Sequence, residues 1–338
     1  MRLLVDAHGG DRTPEVILSS VERMARELPG VTLLVVGLPD LPTPKIPNVQ
    51  HIVARSVIEN TESPVQAVRG KPESSLVLSC SLLQKGKADV LLSAGNTGAL
   101  LVAGSRLVGR IRGVSRPALS LWYPSLMADN APPKLLLDVG ANPDARPDHL
   151  FQYALLGSFY VSHVTGCRNP RVALLNLGTE SNKGPERIRE SHRLLAAEPR
   201  IRFVGNIEAR DAMEDVCDVL VADGMNGNVL LKTTEGVARV AVQRLQRELL
   251  GHSTLWSRLA VFSLRNRLRA LQEVMNYHQY GGAPLLGLSA LIIKVHGSAN
   301  EQAWTAAFQQ ASLLAERDVM RGMADVLATA GAVSLGGS

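Results

Sequence analysis

Along the first 240 residues, short runs of consecutive apolar residues alternate with longer stretches whose apolar positions recur every three or four. The short runs are Arg2–Val5, Val31–Val36, Ile52–Ala54, Ala88–Leu92, Ala118–Trp122, Lys134–Leu137, Val172–Leu175, Ile201–Val204 and Val219–Ala222. Runs of this length without polar alternation predict strands buried on both faces. The longer stretches predict helices, among them one capped by Thr13 with Pro14 in its first turn, and others over 63–68, 74–83, 99–108, 148–164 and 186–196. Another is expected after Asn228, and a last one over 301–316. A regular βα rhythm predicts an α/β fold with a doubly wound, mostly parallel sheet. The expectation is one catalytic domain over 1–323, a helical protrusion at about 243–275 and a flexible Ala, Gly and Ser-rich tail over 324–338.

Five of the strands run into turns of one design, with Gly beside Asp, Asn or Ser. They begin at Asp6, Ser93, Asp138, Gly178 and Asp223. In a parallel sheet such turns share the carboxyl edge, so they are expected to converge on a single polar, glycine-lined cleft. Ser93, Gly95, Asn96, Thr97 and Gly98 form a turn in which backbone N–H groups and the Thr97 hydroxyl can approach an oxyanion. Lys183, flanked by glycine, is a candidate mobile cation for phosphate or a solvated loop lysine. Asp223 and Asn228 place a carboxylate and an amide at the start of a helix, where capping alone is the other reading. His8 and His296 are candidates for acid–base work or for structural hydrogen bonding.

Composition narrows the partners. Apolar residues make up 46% of the chain and charged residues 20%, as in globular domains, but aromatics only 4%, which argues against stacking platforms for nucleic acid. The net charge of +5 favours an acidic partner, and Arg106, Arg110, Arg112 and Arg116 are close enough in sequence to dock one. Cys80, Cys167 and Cys217 are too widely spaced for a metal or disulfide framework, and no metal site is expected. Without a secretory leader or a bilayer-length apolar run, the chain is expected to be cytoplasmic. Within 254–271, Leu255, Leu259, Phe262 and Leu268 interleave with Arg258, Arg265 and Arg269, which would share one face of a helix. That pattern fits a helix lying on a membrane, or an interface helix with snorkelling arginines.

The motifs in order are Asp6-Ala7-His8-Gly9-Gly10-Asp11, Ser93 to Gly98, Leu137 to Asn142, Lys183-Gly184, Asp223-Gly224 with Gly227-Asn228, Tyr280 to Gly287, and His296-Gly297-Ser298-Ala299-Asn300. Together they resemble the PlsX-type phosphate acyltransferases of bacterial phospholipid synthesis over about residues 1–318. The resemblance implies a fold like that of phosphotransacetylases and isocitrate-type dehydrogenases, a homodimer and no organic cofactor. It implies transfer of a long acyl chain from acyl carrier protein to inorganic phosphate, the acyl phosphate passing to a membrane glycerol-3-phosphate acyltransferase of the PlsY type. Peripheral contact with the inner face of the plasma membrane would bring the two together. Lys183 and the Ser93–Gly98 turn would then hold phosphate and Asn228 would polarise the thioester carbonyl. Asp223 would orient Lys183 or a phosphate hydroxyl, and Asp138, Asn142, His296 and Ser298 would complete the site. The chain departs from the family pattern at His8, Thr179, Met225-Asn226 and Ala290. The competing expectations are a phosphate acetyltransferase or an NAD-linked dehydrogenase on the same sheet, and a non-enzymatic membrane scaffold.

Overall fold

The computed structural model describes residues 1–126, 132–251 and 281–331. Among these, eleven strands form one sheet. In chain order they are β1 (Arg2–Asp6), β2 (Thr32–Gly37), β3 (Val49–Val53), β4 (Val90–Ser93), β5 (Ala118–Tyr123), β6 (Lys134–Leu137), β7 (Arg171–Leu175), β8 (Arg202–Ile207), β9 (Val219–Val221), β10 (Ala283–Leu286) and β11 (Leu291–Lys294). Their spatial order is β3-β2-β1-β4-β11-β10-β5-β6-β9-β7-β8.

Helices cover both faces, as the continuous apolar strands demand. They are α1 (Pro14–Glu27), α2 (Pro64–Gly70), α3 (Ser75–Gln84), α4 (Thr97–Ala103, continued by a π-helical turn over Gly104–Val108), α5 (Pro147–Thr165), α6 (Glu186–Ala196), α7 (Gly224–Gly251), α8 (Glu301–Glu316) and α9 (Val319–Gly331). Neighbouring residues of one strand point to opposite faces. Leu3 and Val5 therefore join the core beneath α1, α5, α8 and α9, while Leu4 joins the core beneath α2, α3, α4 and the start of α7.

The mixed α/β fold with a mostly parallel sheet is as the sequence predicts, but the strands do not all run one way. β1–β4 and β11 are mutually parallel, and β10 is antiparallel to both β11 and β5. β5 is in turn antiparallel to β6, which begins a second parallel block with β9, β7 and β8. The turns after β1 and β4 therefore leave opposite ends of the sheet from those after β6, β7 and β9, and the expectation of one shared edge is corrected. The two antiparallel pairings of β10 cancel and leave β5 parallel to β11, so the reversal falls at the β5–β6 pair. Over 324–331 the expected tail is helical, since α9 runs to Gly331 with Met323 and Leu327 buried against the core, and 332–338 lie outside the described residues. Residues 254–271, the expected amphipathic helix, lie outside the described residues. No described helix is long and apolar enough to cross a membrane.

Candidate functional site

A cleft of about 310 Å³ opens over the β10–β5 pair, between the start of α4 and the first turns of α7. Its apolar floor is Leu119, Leu121, Val139, Leu231 and Ala283. Its polar rim is Thr97, Asn228, Lys232, Lys294 and His296, with Gly140, Gly281 and Gly282 between them. No Asp or Glu is among the described residues lining it.

Backbone packing explains how Asn228 arrives there. A Cβ on Gly224 would lie 2.9 Å from the Asn142 backbone, and one on Gly227 would lie 1.9 Å from the Asp138 carbonyl oxygen. The Gly-x-x-Gly spacing puts both glycines on one face of α7, pressed on the 138–142 turn. Asn228 is thereby set beside Gly140, 3.9 Å from where a Cβ on that glycine would be. The turn itself is folded by Asp138, a fully buried carboxylate. It accepts N–H groups from Leu119 (3.1 Å), Gly140 (3.2 Å), Ala141 (2.9 Å) and Asn142 (2.6 Å), and from the Asn142 side chain (3.1 Å). Burial raises its pKa against the pull of these donors. The Asn142 amide also donates to the Pro117 carbonyl at 2.7 Å.

The Ser93 turn is likewise occupied with holding itself together. The buried Ser93 hydroxyl donates to Asp6 at 2.8 Å and accepts the Gly95 N–H at 3.1 Å. Asn96 caps α4 through the Ala99 N–H (3.0 Å), and its amide donates to the carbonyls of Glu59, Asn60 and Glu62. A Cβ on Gly98 would stand 2.5 Å from Pro64, so that glycine lets α4 pack on α2. Thr97 is the residue of this turn that lines the cleft.

Asp223, 1% exposed, caps α7 through the Asn226 backbone and side-chain amides, both at 2.8 Å, and accepts the Arg187 guanidinium at 3.3 Å. Arg187 also reaches Asp144 at 3.7 Å. Lys183 is exposed on the β7–α6 loop, whose backbone is held by the Asn176 amide at 3.1 Å, and it is not among the cleft-lining residues. His296 lines the cleft and exchanges a 2.8 Å hydrogen bond with the Ser298 hydroxyl. Its pKa is lowered by burial first, then by the Lys232 and Lys294 charges. Of the residues expected from the sequence, the structure thus gathers Thr97, Asn228 and His296 in one cleft. Ser93, Asn96, Asp138, Asn142 and Asp223 hold the surrounding turns.

The sequence reading missed Lys294 and Lys232. Lys232 pairs with Glu235 at 2.9 Å. Lys294 ends β11 and donates to the carbonyls of Ala94 (3.0 Å) and Val295 (2.5 Å); burial lowers its pKa to about 8. The signal available was its place at the end of the apolar run Leu291-Ile292-Ile293, two residues before His296.

A second cavity, of about 1370 Å³, lies across the 139–142 turn. Ala141 and Asn142 line it while Val139 and Gly140 line the cleft. Arg106, Arg110, Arg116 and Arg146 surround it. Among the described residues, no group of His, Cys, Asp and Glu is arranged to hold a metal ion.

A family model described as fatty acid synthesis protein matches residues 1–322. The chain is 42% identical over 331 residues to a phosphate acyltransferase of Exiguobacterium sp., covering 95% of this chain and 97% of that one. It is 43% identical over 323 residues to the phosphate acyltransferase of Bacillus subtilis, covering 94% and 96%. Among solved structures, it resembles in fold a phosphotransacetylase from Streptococcus pyogenes, with TM-score 0.59 and 12% identity over 95% of this chain and 94% of that one. A branched-chain phosphotransacylase from Enterococcus faecalis matches with TM-score 0.59 and 15% identity over 93% and 99%.

Proposed function

Because the chain belongs to the family of fatty acid synthesis proteins of the PlsX type, whose curated relatives are phosphate acyltransferases, we propose that it moves a long acyl chain from acyl carrier protein to inorganic phosphate. The observation that carries the reading is the cleft's division into an apolar floor and a cationic rim without carboxylates. An acyl thioester has an apolar tail and an electrophilic carbonyl, and its attacker is an anion, so both halves have an occupant. In this reading the Asn228 amide polarises the carbonyl and stabilises the oxyanion that develops on attack, with Thr97 across the floor from it. Lys183, exposed on the β7–α6 loop and not among the cleft-lining residues, guides phosphate towards the cleft. Asp223 and Asp138 act by fixing the turns that present Asn228. The phosphate proton ends on the departing thiolate, so the products are acyl phosphate and carrier thiol.

The partner assignments are part of the proposal. Acyl carrier protein is acidic, and the arginine-lined cavity one turn away from the cleft supports docking there. Exposed Met225, Val229, Val237 and Val240 on α7 support a homodimer. The sequence pattern of 254–271 supports peripheral contact with the membrane that holds the PlsY-type acyltransferase consuming the product. The test is to mix the protein with acyl carrier thioester and measure free carrier thiol with and without phosphate. Phosphate-dependent release is expected. Release that ignores phosphate would make the chain a thioesterase and overturn the reading.

A further inference from the structure

We propose that Lys294 is the cation that seats the attacking phosphate, its ammonium binding the anion against the wall formed by β11 and the start of α4. The inference rests on the acyl transfer proposed above and names where that reaction's nucleophile sits.

An ammonium carries three N–H donors. Lys294 spends two on the carbonyls of Ala94 and Val295, which fix its direction, and no described residue accepts the third. It lines the cleft, and none of its hydrogen bonds is to a carboxylate. The other cleft lysine, Lys232, is engaged by Glu235. The charged and titratable groups facing Lys294 are Asp6, Asp11, His296 and Lys232, with Glu235 beyond. Asp6 is taken up by the Ser93 hydroxyl and the His8 N–H, and Asp11 by the Asn60 amide. Burial disfavours the Lys294 charge and lowers its pKa to about 8, and an anion bound beside it offsets that cost.

The tether also differs from that of Lys183. Lys294 ends a strand paired on both sides, with β4 and β10, so its ammonium is held by the sheet rather than by a loop. Thr97, Asn228 and His296 share the cleft with it, leaving a place for one phosphate between the cation and the carbonyl-polarising amide. In the step itself a dianionic phosphate oxygen forms the bond to the carbonyl carbon and the C–S bond breaks. The phosphate proton goes to sulfur, and Lys294 keeps its own proton throughout.

Lys294→Met preserves stem volume and removes the charge. With the full-length chain and acyl carrier thioester, the KM for phosphate should rise by roughly ten- to a hundredfold, the loss of one charge-assisted hydrogen bond. The KM for the acyl carrier should stay within about threefold. Urea unfolding of the variant checks that it is folded. In the unmodified protein the phosphate KM, counted on the dianion, should climb as pH passes about 8, where Lys294 loses its proton. An unchanged phosphate KM in folded Lys294→Met, or a flat profile across that pH, overturns the assignment. If the unmodified protein does not turn over acyl thioester with phosphate, the acyl-transfer reading fails. Calorimetric titration with inorganic phosphate then still decides the site: binding lost in Lys294→Met supports it, and equal binding refutes it.

Discussion

Substituting Gly227 with Ala probes the contact on which the cleft is built. The added methyl would sit 1.9 Å from the Asp138 carbonyl oxygen, and the gap must widen by roughly 1.1 Å before it reaches 3.0 Å, the closest a side-chain carbon stands to such an atom. Both sides are backbone, and neither yields easily. The helix end is capped by Asp223 and Asn226, and the opposing turn is pinned by five N–H groups on the Asp138 carboxylate. Overpacking typically costs about 1–3 kcal/mol, and with no flexible side chain to absorb it the expected cost here is about 3 kcal/mol or more. Gly236→Ala, on the same helix with nothing within 4 Å of its Cβ, should instead stabilise by up to about 1 kcal/mol. Urea midpoints of both variants separate helix propensity from the contact. Asn228 follows Gly227 directly, so a shift of about 1 Å should also lower turnover on the order of a hundredfold. A Gly227→Ala protein with an unshifted midpoint and normal turnover would refute the account of how α7 is seated.

Asn228→Ala should lower kcat about 10²–10³-fold, the loss expected for one oxyanion donor, with little change in the urea midpoint; a change confined to KM would remove it from that role. Carrier binding, measured by fluorescence anisotropy, should weaken steeply between low and physiological salt and should lose most of that dependence in an Arg106→Ala, Arg116→Ala double variant; salt-independent binding would move docking away from the basic cavity. His8 accepts the Leu38 N–H at 3.0 Å, and burial lowers its pKa. The unfolded chain then binds the proton first, so His8 contributes stability that is present above about pH 6.5 and lost as pH falls towards the lower folded value. Urea midpoints of His8→Met should fall less between about pH 7 and 5 than those of the unmodified protein; parallel slopes would show that His8 is not the titrating group.

The central strands read most closely, because continuous apolar runs such as Val90-Leu91-Leu92 or Val219-Leu220-Val221 need no pairing information to be recognised. The edge strands β3 and β8, expected to be buried on both faces, are partly exposed and have displaced ends. β10 and β11 were not legible. Each has four residues, β10 contains a proline, and both lie between glycine-rich turns that read as loops. Strand direction was not legible either, since it turns on the antiparallel pairing of β5 with β6, Ser120 opposite Leu137, and two apolar runs do not show which way they pair. At the site, the sequence marks turns well and side-chain duties poorly. The same Asp, Asn and Ser residues that suit a ligand also suit the turn's own N–H groups, and Asp138, Asn96 and Ser93 are taken by the latter. Lys294 was passed over because a lysine closing an apolar run resembles an ordinary strand end, and only the packing of β11 between β4 and β10 brings it to the cleft.

The reversal of direction is what gives the cleft its two characters. In a sheet running one way, the Ser93 and Asp138 turns would stand side by side on one edge and offer a polar rim only. Here β10 and β5 lie between the two parallel blocks, and their face is apolar, with Leu119, Leu121 and Ala283 in the floor. The turn after β4 brings Thr97 to one side of that floor, and the turn after β6, with α7 pressed on it, brings Gly140 and Asn228 to the other. An apolar surface is thus framed by polar groups delivered from opposite ends of the sheet. Under the proposed reaction this matters because the reacting carbonyl is the one atom group that must touch both environments, its alkyl tail on leucine and its oxygen on an amide. A site at one edge could seat the phosphate but would leave the tail in water, where each methylene left unburied forgoes about 0.8 kcal/mol.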